Sequence, residues 1–133
     1  MTRDFQEQIP RLLLELGYFS LRMGSMPEAC ALLEAAQTLR PSDPTPALFL
    51  GMLHFAQGQY AGAERLYRQV LQQHEEHDLA RAYLAESLIV QKRWSEAESM
   101  LNTVTNNNRD PQAVAFAGGL LNGLRAGIFQ RAG

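Results

Sequence analysis

The chain has 133 residues, with 12 basic and 14 acidic side chains, 46% hydrophobic residues and a single cysteine, Cys30. The near balance of charge excludes the basic surface that nucleic-acid binding needs, and charged residues interrupt every apolar run well short of the roughly 20 residues of a membrane span. The charged start of the chain argues against a secretory signal and one cysteine cannot form an internal disulfide, so we expect a cytoplasmic protein.

The first predicted element is a flexible lead-in over residues 1–9. Apolar residues from Phe5 to Leu16 are spaced as on one face of a helix. A proline inside a helix, however, removes a backbone hydrogen bond and clashes with the preceding turn. We therefore expect Pro10 to break such a helix and to begin a single domain over 10–133.

Residues 10–111 repeat with a period of 34, which is the spacing of Gly24, Gly58 and Lys92. The same offset aligns two small residues and one large apolar residue in each unit: Gly17, Gly51 and Ala85; Ala29, Ala63 and Ala97; Leu33, Tyr67 and Leu101. Small residues let two helices approach closely, and the large residues fill the space beside them. The period predicts three antiparallel helix pairs, 10–43, 44–77 and 78–111. Because Lys92 adopts a positive φ less readily than glycine, we expect some strain in the third turn.

A capping helix is predicted over residues 112–130, where apolar residues from Val114 to Ile128 follow one face. Its glycines recur every four residues, at Gly119, Gly123 and Gly127. Each lowers helix propensity by about 1 kcal/mol relative to alanine, so one interpretation is a weak helical tail. The other is a stripe of small residues against which another helix, such as one from a partner, packs unusually closely.

A 34-residue period with Leu-Gly, a glycine turn, a buried alanine and a large apolar residue resembles the tetratricopeptide repeat (TPR) family. The resemblance implies an all-α superhelix of three antiparallel helix pairs plus a C-terminal capping helix, whose first helices line a concave groove that binds protein. It places the following mostly apolar residues in that groove: Leu14, Tyr18, Leu21, Leu48, Phe49, Met52, Phe55, Tyr83, Ile89 and Val90. An exposed apolar surface of this kind indicates an interaction site, although an apolar stripe on a helix is also what an ordinary core requires.

The TPR resemblance also restricts the ligand. TPR domains that grip the acidic C-terminal peptides of heat-shock chaperones place Lys and Asn where this chain has Leu14 and Tyr18. An apolar groove instead suits an amphipathic helix or an extended apolar segment of a protein partner. Self-association of the chain is a further possibility that the sequence leaves open.

No motif in the sequence indicates catalysis. His74 and His77 are too few ligands for a zinc site and lie at a predicted turn between repeats. Cys30 has no nearby histidine to activate it, and neither a phosphate-binding loop nor a dinucleotide fingerprint nor a nucleophile elbow is found. We therefore expect neither an enzyme nor a bound metal or cofactor.

In its size, its apolar groove and its stretches LLLELGYFSLRMGSMPEACALLEAAQTLRP and DPQAVAFAGGLLNGL, the chain is similar to small cytoplasmic chaperones of bacterial type III secretion systems. This similarity implies a protein that holds an aggregation-prone early component, such as the needle subunit or an export-apparatus protein, often together with a second small co-chaperone. Covering that component in the groove would prevent premature assembly. The alternatives are a general TPR scaffold or assembly adaptor, and a regulatory or enzyme subunit.

Overall fold

The structure is a computed structural model that describes the backbone of residues 2–132 and the side chains of residues 7–130. Within this part of the chain the secondary structure is entirely α-helical, and no helix is long and apolar enough to cross a membrane. The helices are α1 (Thr2–Arg22), α2 (Met26–Leu39), α3 (Pro44–Ala56), α4 (Tyr60–Gln73), α5 (Asp78–Val90), α6 (Trp94–Asn107), α7 (Pro111–Arg125) and α8 (Ile128–Ala132).

Neighbouring helices pack as the pairs α1/α2, α3/α4 and α5/α6, and the second helix of each pair contacts the first helix of the next. The predicted all-α superhelix of helix pairs is thereby confirmed. Helices α3 and α5 begin at Pro44 and Asp78, the first residues of the second and third predicted units. We keep the division into 10–43, 44–77 and 78–111 as our proposal for the repeat boundaries.

The turn inside each pair has the same geometry. Gly24, Gly58 and Lys92 all adopt a left-handed backbone, with φ of 80°, 77° and 65°. The amide after each of them donates to a carbonyl five residues back: Ser25 to Ser20 at 2.9 Å, Gln59 to His54 at 2.8 Å and Arg93 to Leu88 at 2.9 Å. These bonds are those of a Schellman motif. Lys92 therefore occupies a glycine conformation, the strain expected from the sequence.

Small residues hold the two helices of a pair close together. A Cβ added to Gly17 would lie 2.8 Å from Leu33 Cδ2, and one added to Gly51 would collide with the Tyr67 ring. The alanine at the start of each second helix is fully buried: Ala29, Ala63 and Ala97. The packing inferred from the repeat is therefore present in the structure.

A buried ion-pair network joins the third helix pair. The Asp78 carboxylate, with a side chain 1% exposed, accepts bonds from Arg109 at 3.0 Å and from Arg81 at 2.6 Å. Burial alone would raise the pKa of Asp78, but the hydrogen bonds from Arg109 and Asn107 hold that pKa below its ordinary value. The network connects the start of α5 with the segment that follows α6.

The prediction that Pro10 breaks the first helix is wrong, because α1 begins at Thr2 and continues through Pro10. The missing backbone hydrogen bond is offset by tertiary contacts. The Pro10 ring is buried, and Arg40, at the end of α2, donates to the Glu7 carbonyl oxygen at 3.5 Å. The predicted mobility of residues 1–9 stays a prediction, and the side chain of Phe5 lies outside the described residues.

The predicted single capping helix over 112–130 is also wrong, because α7 ends at Arg125 and α8 follows after a turn. Gly127 makes this turn with a φ of 72°. Phe129 then packs on Gly123, where an added Cβ would lie 2.6 Å from Phe129 Cε2. The end of the chain therefore repeats the glycine turn and the glycine-on-large-residue packing of the earlier pairs in shortened form.

Candidate protein-binding groove

The first helices of the three pairs and α7 enclose an open cavity of about 280 Å³. Its walls are Tyr18, Thr45, Leu48, Phe49, Met52, His77, Leu79, Tyr83 and Gln112. Five of the predicted groove residues therefore meet at one place: Tyr18, Leu48, Phe49, Met52 and Tyr83. Because the cavity touches four helices from different units, it is a property of the stacked superhelix rather than of any one repeat. We call this surface the groove.

Aromatic rings form much of the groove wall. Tyr18 on α1 lies against Phe49 on α3, with ring centroids 4.9 Å apart. Tyr83 on α5 meets Phe116 on α7 edge to face at 5.0 Å, and Tyr67 stacks on Tyr83 from α4 at 5.9 Å. Pairs of this kind add about 0.5 to 1.5 kcal/mol each beyond area burial. Three of these rings, Tyr18, Phe49 and Tyr83, line the groove, and Tyr67 and Phe116 pack against Tyr83.

Burial divides the remaining predicted groove residues. Leu48 and Ile89 are each only 4% exposed, so they belong to the core. Leu48 nevertheless borders the cavity with the small part of its surface that remains accessible. Phe55 is half-buried and packs edge to face on Tyr60 of α4 at 5.0 Å, which turns it away from the cavity. For these positions the alternative of ordinary core, which the sequence had left open, is the better description.

The other predicted groove residues do not line the cavity. Leu14 lines a separate cavity of about 420 Å³ near the start of α1, beside Pro10 and Arg40. Leu21 is half-buried, and Val90 is 41% exposed at the end of α5. The usable groove is therefore shorter than predicted and is centred on α3 and α5.

Helix α5 also carries a carboxylate, Glu86, one helical turn beyond the groove residue Tyr83. Glu86 is half-buried, and no hydrogen bond or ion pair to it is found among the described residues. Burial raises the pKa of Glu86 to about 7. The Tyr67 hydroxyl beside it is fully buried without a hydrogen-bond partner, and burial followed by the charge of Glu86 raises the pKa of both Tyr67 and Tyr83. The core behind Tyr83 therefore contains a buried hydroxyl without a partner, next to the half-buried carboxylate of Glu86.

Three residues around the groove were not predicted: His77, Gln112 and Phe116. The latter two lie 33 residues after Leu79 and Tyr83. Helix α7 begins 33 residues after α5, one fewer than the period of 34. An alignment at an offset of 34 therefore does not pair the groove positions of α7 with those of α5. A search for a repeat at 33 as well as 34 residues would have found them.

The groups singled out as possible metal ligands or nucleophiles have structural partners. The amide of Ala80 donates to His77 Nδ1 at 3.1 Å, which caps α5, and His74 Nε2 lies 2.9 Å from the Ser42 carbonyl oxygen. Burial raises the pKa of Cys30, so its reactive thiolate form is disfavoured. Among the described residues no group of three or more His, Cys, Asp or Glu side chains is placed to hold a metal ion.

The repeat geometry agrees with a family model described as tetratricopeptide repeat, which matches residues 54–118. The match begins near the end of α3 and ends in α7, so it includes the turn at Lys92 and the groove residues of α5, whereas those of α1 and α3 lie outside it. The chain has the TPR fold. No curated protein sequence gives a match.

Solved TPR structures superpose on most of the chain. The type III secretion translocator chaperone SycD of Yersinia enterocolitica has a TM-score of 0.81 at 21% identity, covering 92% of this chain and 94% of SycD. PcrH of Pseudomonas aeruginosa has a TM-score of 0.77 at 22% identity, covering 94% and 95%. The first TPR of Spaghetti (RPAP3), bound to an HSP90 peptide, has a TM-score of 0.76 at 16% identity, covering 91% and 94%. At these identities the likeness establishes the fold.

Proposed function

We propose that the chain is a cytoplasmic, non-enzymatic TPR chaperone of a bacterial type III secretion system. The observation that carries this proposal is the groove itself, a cavity of about 280 Å³ walled mainly by apolar and aromatic side chains from α1, α3 and α5. An apolar concave surface of this size, exposed to water, gains most by covering an apolar segment of another polypeptide. The likeness in fold to SycD, which has also been crystallised with a peptide of the translocator YopD, supports a secreted client.

The chemistry of the groove defines the client segment. Large rings at Tyr18, Phe49 and Tyr83 suit the apolar face of an amphipathic helix or an extended apolar segment. The adaptable Met52 side chain suits clients that vary in shape. Glu86, half-buried on α5 one turn beyond Tyr83, disfavours an acidic client, because a second carboxylate near it would be repelled. Hence we propose a neutral or basic apolar segment rather than an acidic peptide like that of heat-shock chaperones.

The client we propose is an aggregation-prone early component, such as the needle subunit or an export-apparatus protein. Holding its apolar segment in the groove keeps the client from assembling before export. Exposed apolar side chains on α1, such as Leu12 and Phe19, leave room for a second small co-chaperone or for self-association. A general scaffold would instead form a permanent complex and have no effect on the solubility of its partner.

Co-purification from the native host, followed by mass spectrometry, tests the proposal. We expect a short helical secretion component that stays soluble with the chain and aggregates without it. The double substitution Phe49→Glu with Met52→Glu should abolish binding while helical content is kept, since both side chains line the groove and are only half-buried. Leu39→Glu, at an exposed position outside the groove, is the matched control and should bind normally. Recovery of a ribosomal or metabolic partner, or binding unchanged in the double variant, would reject the proposal.

A further inference from the structure

Helix α5 leaves one open strip between the helices that pack around it. Within residues 82–90 only Tyr83, Glu86 and Val90 are not buried. Together with Leu79 they are spaced by four, three and four residues, which places all four on one face of the helix. Leu79 and Tyr83 line the groove. The Glu86 side chain therefore lies on the face of α5 that borders the groove, one turn beyond the cavity wall.

The repeat also assigns Glu86 to a groove position. The residue 34 positions before Glu86 is Met52, and the residue 34 positions before Met52 is Tyr18. Both of these side chains line the groove. Glu86 is thus the third member of a row that follows the groove from one helix pair to the next. The first two members are aromatic and apolar, whereas the third is a carboxylate.

The described part of the chain supplies no cation to Glu86. Helices α4, α6 and α7 pack against α5, but α6 contains no Lys or Arg and α7 contains only Arg125, its last residue. On α4, Arg65 is exposed and Arg68 is bonded to carboxylates on α4 and α6. Arg81 on α5 is bonded at 2.6 Å to the carboxylate at the start of that helix. A cation for Glu86 therefore has to come from a bound molecule.

A second polar group near Glu86 also lacks a partner. The Tyr67 hydroxyl is fully buried without a hydrogen bond, and its ring stacks on Tyr83 at 5.9 Å. Burial, followed by the charge of Glu86, raises the pKa of Tyr67, so the two groups are close enough to interact. Buried polar groups in folded proteins nearly always have partners. Two uncompensated groups at one end of an apolar groove therefore indicate that a ligand brings polar atoms to this end.

Helix α7 leaves room for such a ligand. Its residue equivalent to Glu86, at the offset of 33 that relates α7 to α5, is Gly119. Gly119 is exposed, and a Cβ added there would meet no atom within 4 Å. At this level of the stack no side chain of α7 narrows the groove, so a long side chain of a bound segment can reach the carboxylate.

We propose that Glu86 selects client segments that carry a lysine or arginine next to their apolar anchor, the side chain that packs on Tyr83. This inference rests on the proposed function, because it adds one contact to the same groove. The ammonium or guanidinium group of the client donates to the Glu86 carboxylate one helical turn beyond the anchor. Charge-assisted bonds of this kind are the stronger hydrogen bonds of proteins, and partial exclusion of water strengthens them further. A neutral client residue at this place leaves the carboxylate unpaired, and an acidic one is repelled.

Synthetic peptides that differ at one position test this selection. The probe is a fluorescein-labelled amphipathic helix of about 18 residues, five turns, built from leucine, alanine and glutamine. One position beside the middle of its leucine face is lysine, glutamine or glutamate. By fluorescence anisotropy at about pH 8, where a carboxyl with a pKa of about 7 is mostly ionised, the full chain should bind the lysine peptide about 10-fold more tightly than the glutamine peptide. The glutamate peptide should bind most weakly.

Variants of the chain assign the preference to Glu86. Glu86→Gln should reduce the preference for lysine to less than about twofold, and Glu86→Lys should reverse it in favour of the glutamate peptide. Glu98→Gln removes the same charge from an exposed position of α6 and is the control that should keep the preference. Phe49→Ala removes a ring from the groove wall and should weaken the binding of all three peptides alike.

The outcomes separate this inference from the proposed function. Equal binding of the lysine and glutamine peptides, or a lysine preference that survives Glu86→Gln, overturns selection by Glu86, and the groove still stands if Phe49→Ala weakens binding. Failure to bind any of the peptides, or binding that Phe49→Ala leaves unchanged, contradicts the groove as the binding surface and overturns both proposals.

Discussion

Replacing Glu86 with glutamine tests whether the partial burial of this carboxylate lowers the free energy of unfolding. Glutamine keeps the shape of the protonated acid and cannot ionise. The folded chain raises the pKa of Glu86 from 4.5 to about 7 through burial, so the folded state binds a proton more tightly than the unfolded chain. Glu86 therefore lowers the free energy of unfolding progressively as the pH rises from about 4.5 to about 7, and the loss is complete above that range.

The size of the effect follows from the same values. The difference between 4.5 and about 7 corresponds to at most about 3.4 kcal/mol. Because the carboxyl is only half-buried, solvent screening reduces this, and we expect Glu86→Gln to stabilise the chain by about 1 to 2 kcal/mol at pH 8. At pH 4.5 the substitution should change stability by less than about 0.5 kcal/mol, since the wild-type residue is then largely protonated in the folded state.

Urea unfolding followed by circular dichroism at both pH values measures the effect. Glu98→Gln, at an exposed position of α6, is the control and should give the same small change at each pH. Comparing each variant with the wild type at the same pH cancels the titration of other carboxylates, such as Asp78. The reasoning is refuted if Glu86→Gln destabilises the chain at pH 8, because the carboxylate would then have a stabilising partner.

Four further substitutions test the glycine packing, the left-handed turn and the ion-pair network, each by thermal or urea unfolding. Gly51→Ala should destabilise by more than about 2 kcal/mol because its Cβ meets the Tyr67 ring, whereas Gly119→Ala, in open space on α7, should stabilise by about 0.5 to 1 kcal/mol; equal effects would contradict the packing. Lys92→Gly should stabilise by about 0.5 to 1 kcal/mol by relieving its left-handed backbone, and a loss of stability would show that no strain is stored there. Asp78→Asn should cost about 3 kcal/mol at neutral pH. A carboxylate with a lowered pKa stabilises the chain fully above its ordinary value of 3.8, and this contribution is lost as the pH falls from 3.8 through the lower pKa of the folded chain. The cost of Asp78→Asn should therefore disappear over that range. A cost that persists in acid would mean that the charge of Asp78 is not the cause.

The repetitive part of the fold could be predicted from the sequence because each repeat contains the residues that determine its turn and the packing of its two helices. Glycine or lysine at the turn, alanine inside and a large residue opposite glycine recur at one offset, and the structure places each as expected. The ends could not be predicted in this way. Pro10 lies in a helix that packs along α2, which is far away in sequence, and Gly127 makes a turn one residue out of period.

The groove was predicted less well because burial depends on the neighbouring repeat. Leu48 and Phe49 are adjacent and equally apolar, but Leu48 is 4% exposed and Phe49 is half-buried in the cavity wall. A periodic pattern identifies the helix face, whereas the stacking of adjacent helices decides which side chain on that face reaches solvent. The raised pKa of Glu86 likewise results from burial, which the packing of neighbouring helices decides.

Photo-crosslinking in the native host tests the central claim, that the groove binds an apolar segment of a client. A benzoylphenylalanine placed at Met52 lies in the cavity wall, and one placed at Glu98 lies on the exposed outer surface of α6. We predict that the probe at Met52 crosslinks to an apolar or amphipathic segment of one secretion component and that the probe at Glu98 does not. Crosslinks to that component from Glu98 but not from Met52 would contradict the account.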